Sequence, residues 1–315
     1  MEFTDSPAHN LKFNFRFLHV FFSIIYVLNM LVSCKTETRT YNVDTEVWDT
    51  IFNGKNLDGW TIKIANETLG ENYKNTFTVD SQMMRISYDE YSKWDDKFGH
   101  IFFDKPMSYY KLKFDHRFLG EHLPDAPIWA DKNSGIMVHS QSPQSMSFGQ
   151  QFPISLEMQL LVGNDTLKNT TGNVCTPGTI LHMGDTLRMD HCINSSSITY
   201  PLGEWIHGEI EVYGDSLVRH IINGKTVLEF TKPMVGGGFL SPQDPWSLAF
   251  ITDSTTWIQK NDTPLKTGYI ALQAESQALD FKNIYLLNLE GCMDSKAKNY
   301  KSYYIKHDAG SCVYE

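Results

Sequence analysis

The sequence predicts an all-β protein, a jelly-roll type β-sandwich with long loops and a small C-terminal appendage, and three observations carry that prediction. Short runs of apolar–polar alternation recur about a dozen times, almost nothing has helical period, and the connections are rich in Gly, Pro, Ser and Asn. The clearest run is 109–118, where Tyr110, Leu112, Phe114, His116 and Phe118 alternate with Tyr109, Lys111, Lys113, Asp115 and Arg117. That is a strand with one face in a core. On the same reading, strands are expected in chain order at Thr61–Ile64, Thr76–Val79, Met84–Tyr88, His100–Phe103, Gly135–Ser140, Ile154–Leu161, Ile206–Tyr213, Leu217–Ile222, Thr226–Phe230, Tyr269–Ala274 and Leu279–Leu286. Asn223-Gly224 should join its two flanking strands as a hairpin, because both central positions of a type I′ turn take positive φ. The stretches 120–133, 141–153, 163–204 and 232–266 are too long for inert connections and are expected to line a site or to carry extra structure.

Composition excludes several classes. The 315 residues are 41% hydrophobic and 20% charged, which supplies a core and rules out general disorder. No apolar stretch reaches the ~20 residues of a spanning helix, so a polytopic membrane protein is excluded. With net charge -10 and no Lys/Arg cluster, the chain would repel a polyanion, and nucleic acid is not an expected partner.

Residues 1–33 read as an export signal. Lys12 and Arg16 precede the apolar run Phe17 to Val32, which ends in Leu31-Val32-Ser33-Cys34 and resembles a bacterial lipoprotein signal with its lipobox. That resemblance implies lipidation of Cys34, a polar tether over 34–46, and a membrane-anchored place in the bacterial cell envelope, facing the periplasm or the surface. In such an oxidising compartment the other four cysteines would pair. Sequence order suggests Cys175 with Cys192 and Cys292 with Cys312, one of three possible connectivities.

An opening motif and six ordered landmarks after it resemble the 3-keto-disaccharide hydrolase family, also called 3-keto-glucoside lyase/hydratase. The opening is Trp48 to Trp60 with the core Phe52-Asn53-Gly54-Lys55, and the landmarks are Asn133-Ser134-Gly135-Ile136, Leu156-Glu157-Met158-Gln159-Leu160-Leu161, Gly203-Glu204-Trp205, Asn223-Gly224, Gly268 to Gln273, and Phe281-Lys282-Asn283-Ile284. The resemblance covers about 47–288 and implies a concanavalin-like jelly roll acting on 3-keto-glycosides. It departs from the family where Leu161 replaces an acid. The remaining segment, 289–315, resembles a short cysteine-containing repeat attached to exported Bacteroidetes-type proteins, and is expected to be a disulfide-closed tail.

Alternation places Ile154, Leu156, Met158 and Leu160 on one face of their strand and Glu157 and Gln159 together on the other. A carboxylate beside a carboxamide suits vicinal sugar hydroxyls. Retaining jelly-roll glycosidases of laminarinase type carry further acids on such a strand; here those positions are Gln159 and Val162, so hydrolysis by two carboxylates is disfavoured. A 3-keto sugar needs less, because its ketone acidifies the C2 hydrogen and one base can begin an elimination that hydration completes. Glu157 is the expected base, His139 or His191 the acid or enolate donor, and Arg117, Gln159 and Gln273 the substrate contacts. His220 reads as structural. The residues assure no cofactor, although His139, Glu157 and His191 are of the types that hold a divalent metal ion. The rival function is a non-catalytic glycan-binding lipoprotein, which needs only a shallow aromatic platform instead of a walled pocket with a perturbed carboxylate.

Overall fold

The structure, a computed structural model, describes residues 45–315 apart from 165, 240 and 242. The expected signal segment 1–33, the expected lipidation site Cys34 and the expected tether up to residue 44 therefore lie outside the described residues. What is described is an all-β jelly-roll sandwich of two antiparallel sheets. One sheet has ten strands and centres on Tyr109–Leu119, flanked by Ile206–Tyr213 and Ala278–Asn288. The other has seven, in the order Cys192–Ile193, Asn173–Cys175, Leu156–Leu161, Asn133–Ser140, Tyr269–Ala274, Gly99–Phe103 and Trp60–Ile64.

The alternation in the sequence does what period-two patterning requires. Leu156, Met158, Leu160, Ile136, Val138, Ile270 and Leu272 point inward and join Tyr110, Leu112, Phe114, Phe118, Ile210 and Phe281 of the opposite sheet in one core cluster. Burying each such side chain contributes roughly 1.5–3 kcal/mol before conformational entropy is charged against it. Ile206–Tyr213 and Leu217–Ile222 match the expected spans, and Asn223 and Gly224 take φ of 47° and 75° in a tight turn between paired strands.

Two of the long stretches carry the extra structure expected of them. The stretch 163–204 holds, among its described residues, four short strands: Asn173–Cys175, Thr179–Met183, Thr186–Arg188 and Cys192–Ile193. Cys192 stands opposite Cys175 in register, and the two form a disulfide. The stretch 232–266 continues the Lys225–Val235 strand and then holds a short α-helix, Ser254–Ile258, started by Asp253 accepting from the Thr256 amide. In the tail, Cys292 is bonded to Cys312, and the chain returns so that the Ile305 amide donates to the Leu289 carbonyl.

Sheet register sets up the outer face of the seven-stranded layer. Lys63 pairs with His100, His100 with Gln273, Gly135 with Gln159, and Gln159 with Asn173. Leu272 opposite Ile136 places Gln273 beside Gly135, which completes a polar row across the sheet. One step along, Glu157 stands between Cys175 and Met137, and Met137 joins Phe102, Ala271 and Met146 in a separate apolar patch. Glu157 thus sits where the polar row meets a dry surface.

Candidate active site

A cavity of about 390 Å³ opens on this face. Its floor is the sheet: Glu157 and Gln159 from one strand, Asn133 from the next, and Glu275 just beyond the end of Tyr269–Ala274. Loops supply the walls, with Trp129 and Phe152 on one side, Phe239 and Leu248 from the 236–268 segment, and Pro177, His191 and the Cys175–Cys192 disulfide closing the rest.

Gly135 decides where the Glu157 carboxyl lies. A Cβ at this glycine would stand 2.5 Å from the Glu157 Cγ and 2.7 Å from its Cδ, so the bare backbone is the space that the side chain occupies. Glu157 is 6% exposed, and its Oε1 has no hydrogen-bond partner among the described residues. Burial raises its pKa from 4.5 to about 8. Glu275 is 2% exposed, its Oε2 likewise lacks a partner, and burial together with the nearby Glu157 charge pushes its pKa well above the usual carboxylate range. Two carboxyls that resist ionisation and repel each other's charge share one cavity, and they titrate as a pair.

Around them the polar groups are aimed by their neighbours. Asn173 Nδ2 donates to Gln159 Oε1 at 3.0 Å, which leaves the Gln159 NH₂ as a donor. Asn133 Nδ2 donates to the Trp129 carbonyl at 3.2 Å, and its Oδ1 is buried without a partner, as is His191 Nδ1. Burial lowers the His191 pKa, opposed by the charge of Asp244, so this imidazole favours the neutral form. Buried polar atoms are normally satisfied, and several unpaired ones around one cavity are what a polyhydroxylated ligand would complete.

Of the residues singled out from sequence, Glu157, Gln159 and His191 come together here, and Gln273 lies in the adjoining row with both amide atoms buried and unpartnered. Two do not. His139 is fixed at the end of its strand, where Nε2 donates to the Gly214 carbonyl at 3.0 Å and burial lowers its pKa to about 4, so it serves packing away from the cavity lining. Arg117 belongs to the ten-stranded sheet, where it pairs with Asp280 at 2.8 Å and stacks on Trp205. His220, buried with Nδ1 3.0 Å from the Gly172 carbonyl, is structural as read. The expected cation ligands do not converge either, because His139 is elsewhere, and no group of three His, Cys, Asp or Glu among the described residues is arranged to hold a metal ion.

Glu275 is the residue that the sequence reading missed. The Glu157 strand carries Gln159 and Val162 at the positions of further acids, as expected, and the fold brings a second carboxyl into the cavity from a different strand. The period-two sequence Ala271, Gln273, Glu275 carried the signal, one residue past the expected strand end.

Residues 47–287 match the family described as the 3-keto-alpha-glucoside-1,2-lyase-like domain. Among curated proteins no match was found. Solved structures similar to this chain include a candidate glycosyl hydrolase from Parabacteroides distasonis, at 18% identity and TM-score 0.45, covering 77% of this chain and 100% of that one. The carbohydrate-binding module CBM66 from Bacillus subtilis has 10% identity and TM-score 0.40, covering 73% and 96%. A Bacillus licheniformis β-glucanase has 11% identity and TM-score 0.40, covering 77% and 97%.

Proposed function

The chain belongs to the 3-keto-alpha-glucoside-1,2-lyase-like family, and from that premise we propose that it cleaves 3-keto-glucosides by C2 proton abstraction, elimination and hydration. The observation that carries the proposal is the buried pair of Glu157 and Glu275, with raised pKa values in a walled cavity. A glycan-binding platform has no use for two desolvated acids, whereas a base and an acid of different proton affinity are what an elimination needs.

One carboxyl of the coupled pair serves as base and the other as acid. Glu157, beside Gln159 on the sheet floor, is assigned as the base that takes the C2 hydrogen, and Glu275 as the acid that donates its proton to the departing C1 oxygen. A carboxylate stripped of water is a stronger base than one at the surface. The electrons of the C2–H bond first form C2=C3 and place charge on the C3 oxygen, to which the Gln159 NH₂ offers a hydrogen bond; as the C3 carbonyl re-forms they pass into C1=C2, the C1–O bond breaks and its oxygen takes the proton of the acid. Water then adds its hydroxyl to C1 and a proton returns to C2, giving 3-keto-glucose and the free aglycone. Anchoring of the protein to the bacterial envelope through a lipid on Cys34 belongs to the same proposal.

Incubation of the protein with a 3-keto-glucoside and with its unoxidised parent tests the reading. The keto compound is expected to be consumed and the parent to persist; equal cleavage of both would replace elimination with ordinary hydrolysis. A pH profile adds a second expectation. The base works only when ionised, and its pKa is raised, so kcat/KM should climb with pH up to about 8. A limb rising instead at the usual carboxylate pKa near 4.5 would show that Glu157 is not the titrating base.

A further inference from the structure

Resting on that reading, we infer that the leaving group this site accepts best is an uncharged aromatic aglycone, not a second sugar. Four of the polar side chains that line the cavity, Glu157, Gln159, Asn133 and Glu275, can serve one keto-hexose ring. The rest of the lining is mainly apolar, with Trp129, Phe152 and Phe239 beside only Gln151 and His191. The Trp129 and Phe98 rings stack at 5.9 Å with 4° between their planes, Phe152 lies 4.7 Å from Phe98, and Phe239 lies 6.4 Å from Phe152.

Trp129 uses one face for that stack and remains 54% exposed, with the neighbouring Ile128 81% exposed. A hexose in this position would pack its apolar face on the indole but would also need partners for its hydroxyls, and of the polar lining only Gln151 and His191 lie off the floor. A flat ring gains contact with the indole instead. Charge points the same way: among the described residues no Lys or Arg lines the cavity, while two carboxyls do, so an anionic aglycone would be buried beside like charge without compensation. Size restricts the choice further. At about 390 Å³ the cavity lies toward the lower end of the ~300–1,000 Å³ typical of small-molecule pockets, which suits one or two rings and not a glycan chain.

The test compares phenyl 3-keto-glucoside, methyl 3-keto-glucoside and a 3-keto-disaccharide on the wild-type protein, Trp129→Ala and Trp129→Phe. For each substrate the ratio of wild-type to variant kcat/KM cancels the intrinsic reactivity of the leaving group. Trp129→Ala is expected to cost the phenyl substrate about tenfold more than the methyl or disaccharide substrate, as loss of an aromatic contact implies, and Trp129→Phe should restore most of it. An equal loss for all three, or a larger loss for the disaccharide, overturns the inference. If no 3-keto substrate turns over, the proposed reaction fails by itself. Titration of the unoxidised phenyl, methyl and disaccharide glucosides then decides the aglycone preference alone: tighter phenyl binding that Trp129→Ala abolishes sustains it, and equal binding ends it.

Discussion

Glu157→Gln is expected to lower turnover of a 3-keto-glucoside by ~10²-fold or more while leaving substrate affinity nearly unchanged, because a positioned general base contributes about that factor. The substitution keeps side-chain volume and the inward apolar face of the Leu156–Leu161 strand. It also breaks no bond at Oε1, which has no partner. Folding should therefore survive, and stability should change in a direction that can be worked out. The folded protein holds the Glu157 proton to about pH 8, whereas the unfolded chain releases it near 4.5. Between those values the folded state binds more protons, so stability falls as pH rises through that window. Glu157→Gln should remove part of this decline, with Glu275 accounting for the rest, as thermal unfolding across that range would show. Weakened affinity with persistent turnover would instead make Glu157 a binding group.

The second large effect is expected at a residue with no functional group. Gly135→Ala places a methyl where the Glu157 carboxyl lies, and either that carboxyl or the strand must move. Overpacking of this kind costs about 1–3 kcal/mol of stability. A displacement near 1 Å of a reacting group can cost ~10²-fold in rate. Because both losses run through one side chain, the double variant Gly135→Ala with Glu157→Gln should be little slower than Glu157→Gln alone. Multiplying rate losses in the double variant would mean that Gly135 acts through something other than Glu157.

The sandwich was legible because its long strands alternate. Tyr109–Leu119 buries every second residue along its length, and that pattern survives in the sequence without knowledge of partners. The strands inside 163–204 were not legible, since Asn173–Cys175 and Cys192–Ile193 are too short to show a period and exist through pairing and the disulfide between them. The site divides in the same way. Alternation placed Glu157 and Gln159 on one outer face, a local property of one strand. What brings Glu275 to Glu157 is the order of three strands in the sheet, which a single-strand pattern does not encode. His139 and Arg117 show the converse: their chemistry suited the site, but bonds to the Gly214 carbonyl and the Asp280 carboxylate hold them elsewhere. Gly135 belongs to the Asn133-Ser134-Gly135-Ile136 landmark, but its use depends on a neighbouring strand that lays a side chain across it.

Cleavage in D₂O tests the central claim most directly. If Glu157 removes the C2 proton and water later restores one, the 3-keto-glucose released from a 3-keto-glucoside must carry solvent deuterium at C2, as mass spectrometry and proton NMR of the freshly quenched product would show, after correction for non-enzymatic exchange in a parallel sample of 3-keto-glucose. Elimination and hydration predict about one deuterium per product at that carbon. Product formed at the same rate with the C2 hydrogen retained would contradict proton abstraction and leave direct displacement at C1 as the reaction.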